Sequence, residues 1–252
     1  MPPAPIPCAP PRHAPSAMPQ NPAPPSTLFD LPGYPRPRSV ALAALLCTLV
    51  VLACVAWVDR PVAWAVHDHG LPAYRGFDML THIPDILVAL AALVLLLTPA
   101  RLAWRRAPAD AERVLLTMSV SLALAVLVKN SLKVVFGRAW PETWTGHNLS
   151  LIHDHFYGFL WWQVGRGYQS FPSGHTTVVF ATMSVLWLAA PRLRWLAVLV
   201  CSLTMVGLLG MNYHFAGDLV GGGFLGSVSG LYVWRTAQRL AASAAGAAGP
   251  PA

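Results

Sequence analysis

Three short stretches of this chain carry side chains whose types and spacing fit reactions at phosphorus. Phe171, Pro172, Ser173, Gly174 and His175 run in order just before an apolar stretch, Thr176 to Pro191. Ser173 is a candidate N-cap for a helix beginning there. Such a helix start offers unpaired backbone N–H groups and the positive end of the dipole, an anion site with His175 beside it to move a proton. Farther along, His214 precedes Asp218 by four residues. On a helix that spacing lets the carboxylate hold one ring nitrogen and leave the other free to attack. Lys129 and Lys133, the only two lysines, stand one helical turn apart. Charge neutralisation, a nucleophile and a leaving-group acid are what phosphoryl transfer through a covalent intermediate requires. The plainer alternatives are a capped helix with a histidine in its first turn and lysines snorkelling at a helix end.

Elements that would position these groups are legible in the hydropathy. The chain has 252 residues, 55% hydrophobic and 11% charged, against about 25% charged in soluble proteins. That is the composition of a membrane protein. Six apolar stretches approach the roughly 20 residues needed to cross a bilayer: Ser39 to Val58, Ile83 to Ala103, Arg113 to Phe136, His175 to Pro191, Trp195 to Tyr213 and Asp218 to Trp234. The expectation is an all-α, six-span helical bundle over residues 39–236. Residues 1–38, crowded with proline, read as a disordered cytoplasmic tail rather than a cleaved signal, and residues 237–252 as a second flexible tail.

Arginines orient the bundle, since cytoplasmic loops keep positive charge. Arg12, Arg36, Arg38, Arg101, Arg105, Arg106, Arg113, Arg192, Arg194, Arg235 and Arg239 fall on one side if both termini are cytoplasmic. Arg60, Arg75, Arg138 and Arg166 fall on the other, which holds all three reactive stretches. The net charge of +7 is therefore topological, and nucleic acid is not implied. Cys8, Cys47, Cys54 and Cys201 have no zinc spacing and read as free buried thiols. An Arg-rich, Lys-poor, Ala-rich composition hints at a bacterial source.

Other polar groups have competing readings. His67, Asp68 and His69, with Asp78, His82 and Asp85, could bind a metal or simply form a solvated loop. His147, His153 and His155 lack a carboxylate or cysteine to complete a standard site. Asp85 lies near the outer end of an apolar stretch, where an ionisable group usually faces a partner, for which Lys129 is a candidate. The first apolar stretch has no evident chemistry. The loop from Gly137 to Gly174 carries Trp140, Trp144, Phe156, Tyr157, Phe159, Trp161, Trp162 and Tyr168, either an interfacial belt or, in part, the approach for a lipid substrate. Gly222, Gly226 and Gly230 repeat every four residues, a ridge for close helix packing.

In their order and spacing these stretches resemble the type 2 phosphatidic acid phosphatase family, membrane relatives of bacterial acid phosphatases and vanadium haloperoxidases. Lys133, Pro141, the full Pro172-Ser173-Gly174-His175, His214 and Asp218 match its pattern. The arginine before Pro141 is Trp140, and the family's Ser-Arg pair is Gly207 and Leu208. The resemblance implies that His214 attacks phosphorus, Asp218 orients it, His175 protonates the leaving alkoxide, and Lys133, Ser173 and the Gly174 backbone hold phosphate oxygens. It implies no metal or other cofactor. Arg138 and Arg166 are the available replacements for the missing arginines, each of whose charge-assisted hydrogen bonds would contribute about 1.5 to 3 kcal/mol.

The function expected is an integral-membrane lipid phosphatase of a bacterial inner membrane, its site facing the periplasm. Substrates would be phosphatidic acid, phosphatidylglycerol phosphate, polyprenyl pyrophosphate or a lipid A phosphate. The competing expectation is an inactive relative that binds phospholipid headgroups or serves as a membrane scaffold; a vanadate-dependent haloperoxidase shares the geometry but is soluble.

Overall fold

The computed structural model describes residues 34–103, 109–144 and 147–247. Residues 1–33 and 248–252 of the two expected tails lie outside the described residues, as do Arg105 and Arg106. Among the described residues the chain is helical, with no strand beyond two isolated bridges.

Pro37 opens α1 (Pro37–Ala53), where a missing N–H costs nothing. A π-helical turn, Cys54–Val58, joins it to α2 (Asp59–Asp68). After a short turn come α3 (Arg75–Thr81) and α4 (Ile83–Ala103), then α5 (Asp110–Phe136) and the four-residue α6 (Leu151–Asp154). The chain closes with α7 (Gly174–Ala189), α8 (Arg194–Gly210) and α9 (Ala216–Ala247). Among the described residues four helical stretches are long and apolar enough to cross a membrane: Pro37–Asp68, Arg75–Arg101, Asp110–Phe136 and Pro191–Gly210. At 16 residues α7 is apolar but shorter, about 24 Å at 1.5 Å per residue. Glycines and serines dilute the hydropathy of α9 despite its 32 residues. That helix continues to Ala247, beyond the boundary at 236 expected from the sequence, because its alanine-rich end is a strong helix former.

The middle of the bundle is α7, buried along Thr176–Val179 and Ala181–Met183 and packed by α5, α8 and α9. The glycine ridge lies against it. An added Cβ at Gly222 would fall 2.6 Å from the Ser173 carbonyl oxygen, and one at Gly226 only 2.4 Å from that of Thr177. No side chain fits there, so the two backbones touch. By contrast α1 exposes most of its length, as a helix bathed in lipid would. Cys47, Cys54 and Cys201 are free and half-buried rather than buried, because their helices lie at the bundle periphery.

The loop between α5 and α7 forms a roof over one end of the bundle. It begins at Gly137, whose left-handed φ of 51° ends α5 and whose Cβ, if present, would collide with the Leu160 carbonyl. Arg138 pairs with Phe159 and Trp140 with Ser150 across the roof. The Ser170 N–H donates to the Arg138 carbonyl at 3.1 Å, tying the roof's two ends together.

Candidate active site

Ser173 caps α7: its Oγ accepts from the Thr176 N–H at 3.4 Å and the Thr176 hydroxyl at 3.1 Å. Its own N–H donates to the Asp218 carbonyl oxygen at 3.1 Å, so the start of α7 is tied to the start of α9. Gly174 opens the helix, and the stem of Lys129 lies over it, near enough that a Cβ there would sit 3.2 Å from Lys129 Cδ. His175 follows on the first turn, half-buried, and among the described residues its Nδ1 has no hydrogen-bond partner. Across the site stands His214, in the turn before α9, its ring centroid 6.0 Å from that of His175 and at 67° to it. The two imidazoles thus face one another beside a helix N-terminus.

Behind His214 is a polar chain. The His214 Nδ1 lies 3.6 Å from Asp218 Oδ2, beyond a direct hydrogen bond, and 3.4 Å from Ser170 Oγ. The Ser170 hydroxyl donates to Asp218 Oδ2 at 2.6 Å, so it bridges ring and carboxylate. With Nδ1 engaged on that side, Nε2 is the nitrogen left for chemistry. Burial lowers the His214 pKa; Asp218 opposes that shift without cancelling it. The neutral ring therefore persists into mildly acidic solution, the state a nucleophile requires.

Lys133 is buried in the last turn of α5. Its Nζ donates to the Gln169 carbonyl and sits 5.5 Å from the ring of Trp140, which in turn stacks at a tilt 5.0 Å from His214. A lysine, a serine-capped helix start and two histidines thus come together with Asp218, as their spacing suggests. Leu208 is fully buried.

Arg138 goes elsewhere. Expected on the phosphate, its guanidinium instead donates from Nη1 to Asp218 Oδ1 and from Nη2 to Asp59 Oδ2, both at 2.5 Å, with no exposed surface. The physical reason is that two buried carboxylates converge on one point and a forked guanidinium can serve both. Its Nη2 also reaches the Tyr157 hydroxyl at 3.0 Å, and the rings of Tyr157, Phe159 and Phe215 wall it in at 5.4, 4.9 and 4.5 Å. Burial by itself would lower the guanidinium pKa, but Asp218 and Asp59 hold it raised. The backbone of Arg166 lies in a short 3-10 turn; its side chain lies outside the described residues.

Asp59 is the functional-site residue that sequence reasoning passed over. It stands one residue past the first apolar stretch, which is otherwise without chemistry, and is 1% exposed. Besides Arg138, it accepts the Gly217 N–H at 2.9 Å. The rule applied to Asp85, that an acid at the end of an apolar span faces a partner, would have found it. Asp85 itself is exposed and paired with His82 at 3.1 Å, not with Lys129. Ser170 was missed as well, having no motif of its own.

The remaining histidines are dispersed. His67 meets Glu142 at 3.2 Å, His69 meets the Ala65 carbonyl, and His155 stacks on Trp64. Among the described residues no three His, Cys, Asp or Glu converge as metal ligands would. The roof's aromatics divide: Trp161 and Trp162 are exposed, while Trp140, Tyr157 and Phe159 turn inward.

Comparison with known proteins gives one match. Neither curated proteins nor solved structures show a similar chain. Residues 114–242, just over half of the sequence, match the PAP2 superfamily, and this region holds Lys133, His175, His214 and Asp218 in one constellation. A chain with that match, folded as a bundle of apolar helices around two facing histidines, belongs to the PAP2 superfamily of phosphatases.

Proposed function

We propose that this protein is a lipid phosphatase of a bacterial inner membrane that works through a phosphohistidine. The observation that carries the reading is the pair of imidazoles 6.0 Å apart, one held from behind by Ser170 and Asp218, the other on the first turn of α7. His214 Nε2 attacks phosphorus as the bond to the ester oxygen breaks, and His175 gives its proton to the departing alkoxide. The product is a lipid alcohol and a phosphoryl group bonded to His214. A water then loses a proton to His175 while its oxygen attacks phosphorus, the N–P bond breaks, and inorganic phosphate leaves with both histidines restored. Lys133, the Ser173 hydroxyl and the backbone N–H groups at the start of α7 would hold the phosphate oxygens.

Apolar helices support an embedded enzyme, and arginine placement supports six spans with both termini cytoplasmic and the site facing the periplasm. Substrates consistent with such a site are phosphatidic acid, phosphatidylglycerol phosphate, polyprenyl pyrophosphate and lipid A phosphate. A second reading, an inactive headgroup-binding relative, is favoured by one observation: the guanidinium expected on phosphate is committed to two carboxylates.

The test is phosphate release by detergent-purified protein from those lipids, with chelator present, beside His214→Ala. Release that vanishes in the variant, with acid-labile phosphate trapped on the native protein, supports the hydrolase. No release from any of the lipids by folded protein moves the conclusion to the binding protein.

A further inference from the structure

We propose that Asp59 and Arg138 are positioning residues that act through Asp218 on the nucleophile His214, and that Asp59 sets the net charge behind it. The proposal rests on the phosphoryl-transfer reading above. Asp218 presents its two oxygens to different partners. Oδ1 receives Arg138; Oδ2 receives the Ser170 hydroxyl at 2.6 Å and the Phe215 N–H at 3.0 Å and faces His214. An isolated Arg138–Asp218 pair is neutral, and a neutral pair does little for an imidazole that becomes cationic on attacking phosphorus. Asp59, on the other arm of the same guanidinium, restores one net negative charge. All three side chains are at most 1% exposed, so water screens that charge weakly.

Placement of Asp59 looks built for this. It follows the π-helical turn Cys54–Val58, whose Val55 carbonyl accepts the Tyr157 hydroxyl at 2.9 Å, and it is buried beside Ala63 and Val66 of α2 while Arg60, Pro61 and Asp68 of that helix are exposed. Its second oxygen is bonded to the N–H of Gly217, the residue before Asp218. The carboxylate lies outside the part of the chain that matches the superfamily, so this helix adds a group to the site from beyond it.

A residue that merely held the helices together and one that sets charge differ in sign. The groups facing His214 are Asp218 from α9, Ser170 and Trp140 from the roof, His175 from α7 and Lys133 from α5, with Arg138 and Asp59 behind Asp218. Only the last two are changed. In full-length protein in detergent, the His214 imidazole is titrated by 15N NMR, its resonance assigned with His214→Gln, and the acidic limb of kcat/KM is measured in parallel. Asp59→Asn, which leaves the pair neutral, moves both down by about one pH unit, the size expected of one charge about 10 Å away in a protein interior. Arg138→Gln moves the titration up. The double variant Asp59→Asn, Arg138→Gln regains the single negative charge and returns it close to the native position, and Asp59→Glu preserves it.

An unmoved titration in Asp59→Asn, or a double variant displaced further than either single one, overturns the proposal. If Asp59→Asn does not fold, the double variant decides alone, because the charge argument requires a native titration from it and a purely structural role does not. A native protein that hydrolyses none of the lipids while the titrations keep their order sinks the hydrolase reading and leaves the charge arrangement standing.

Discussion

At His214 the difficulty is to keep one ring nitrogen free while the other is held, and the structure gives that task to a serine. Ser170 takes part in both halves of the contact, with the ring at 3.4 Å and the carboxylate at 2.6 Å. Ser170→Ala is expected to lower kcat about 10- to 100-fold with KM little changed, the size of one hydrogen bond to a charged group. Steady-state kinetics on a lipid phosphate checks it. Acidity provides a second test. Because burial lowers the His214 pKa, the ring stays neutral below the ordinary imidazole value of about 6.5. The acidic limb of kcat/KM assigned to His214 therefore falls below that value. The same shift sets the sign for stability: as pH falls from the unfolded value through the folded one, the unfolded chain binds its proton first and native stability declines.

Helices hold these groups by contacts of two kinds, and only one kind is written in the sequence. The ridge of Gly222, Gly226 and Gly230 is visible as a period of four, and it brings α9 onto α7 so that Ser173 and Asp218 share a hydrogen bond. Gly226→Val would force a branched side chain into a gap where even a Cβ lies 2.4 Å from backbone oxygen. A loss of about 1 to 3 kcal/mol is expected, seen as a lower Tm in detergent; activity would fall with it as the helix start shifts. The i, i+4 pair His214 and Asp218 and the serine cap were legible for the same reason, being local. Arg138 was not, since its carboxylates lie 79 and 80 residues away along the chain. Nothing in the spacing around Arg138 tells that a π-helical turn far upstream will deliver Asp59 beside it. A guanidinium two residues from a vacant arginine position reads as a replacement until its partners are seen.

On the scale of the molecule, composition alone announced a helical membrane protein, and the described residues are a helical bundle. Hydropathy was less decisive about individual helices, because packing against neighbours, not affinity for lipid, decides the residues of α7 and α9. These two central helices are richer in small and hydroxyl side chains than the peripheral ones. The proposed six-span topology makes a direct prediction. With the four native cysteines replaced, a single cysteine at Trp162 in the roof should react with a membrane-impermeant maleimide added outside, and one at Gln238 in α9 only once the membrane is opened. Labelling of both from the same side would remove the proposed orientation.

Trp140 and Leu208 stand where two phosphate-gripping arginines would be expected, and Arg138 is spoken for by carboxylates. The consequence concerns the end of the catalytic cycle. A site with fewer fixed cations holds the dianion it has just released less firmly, so inorganic phosphate should be a poor competitor and its departure fast. Turnover would then be limited by breaking a bond to phosphorus rather than by clearing the product. Adding millimolar phosphate to the assay should leave initial rates nearly unchanged, and a pre-steady-state burst of lipid alcohol should appear only if hydrolysis of the intermediate is the slower of the two chemical steps.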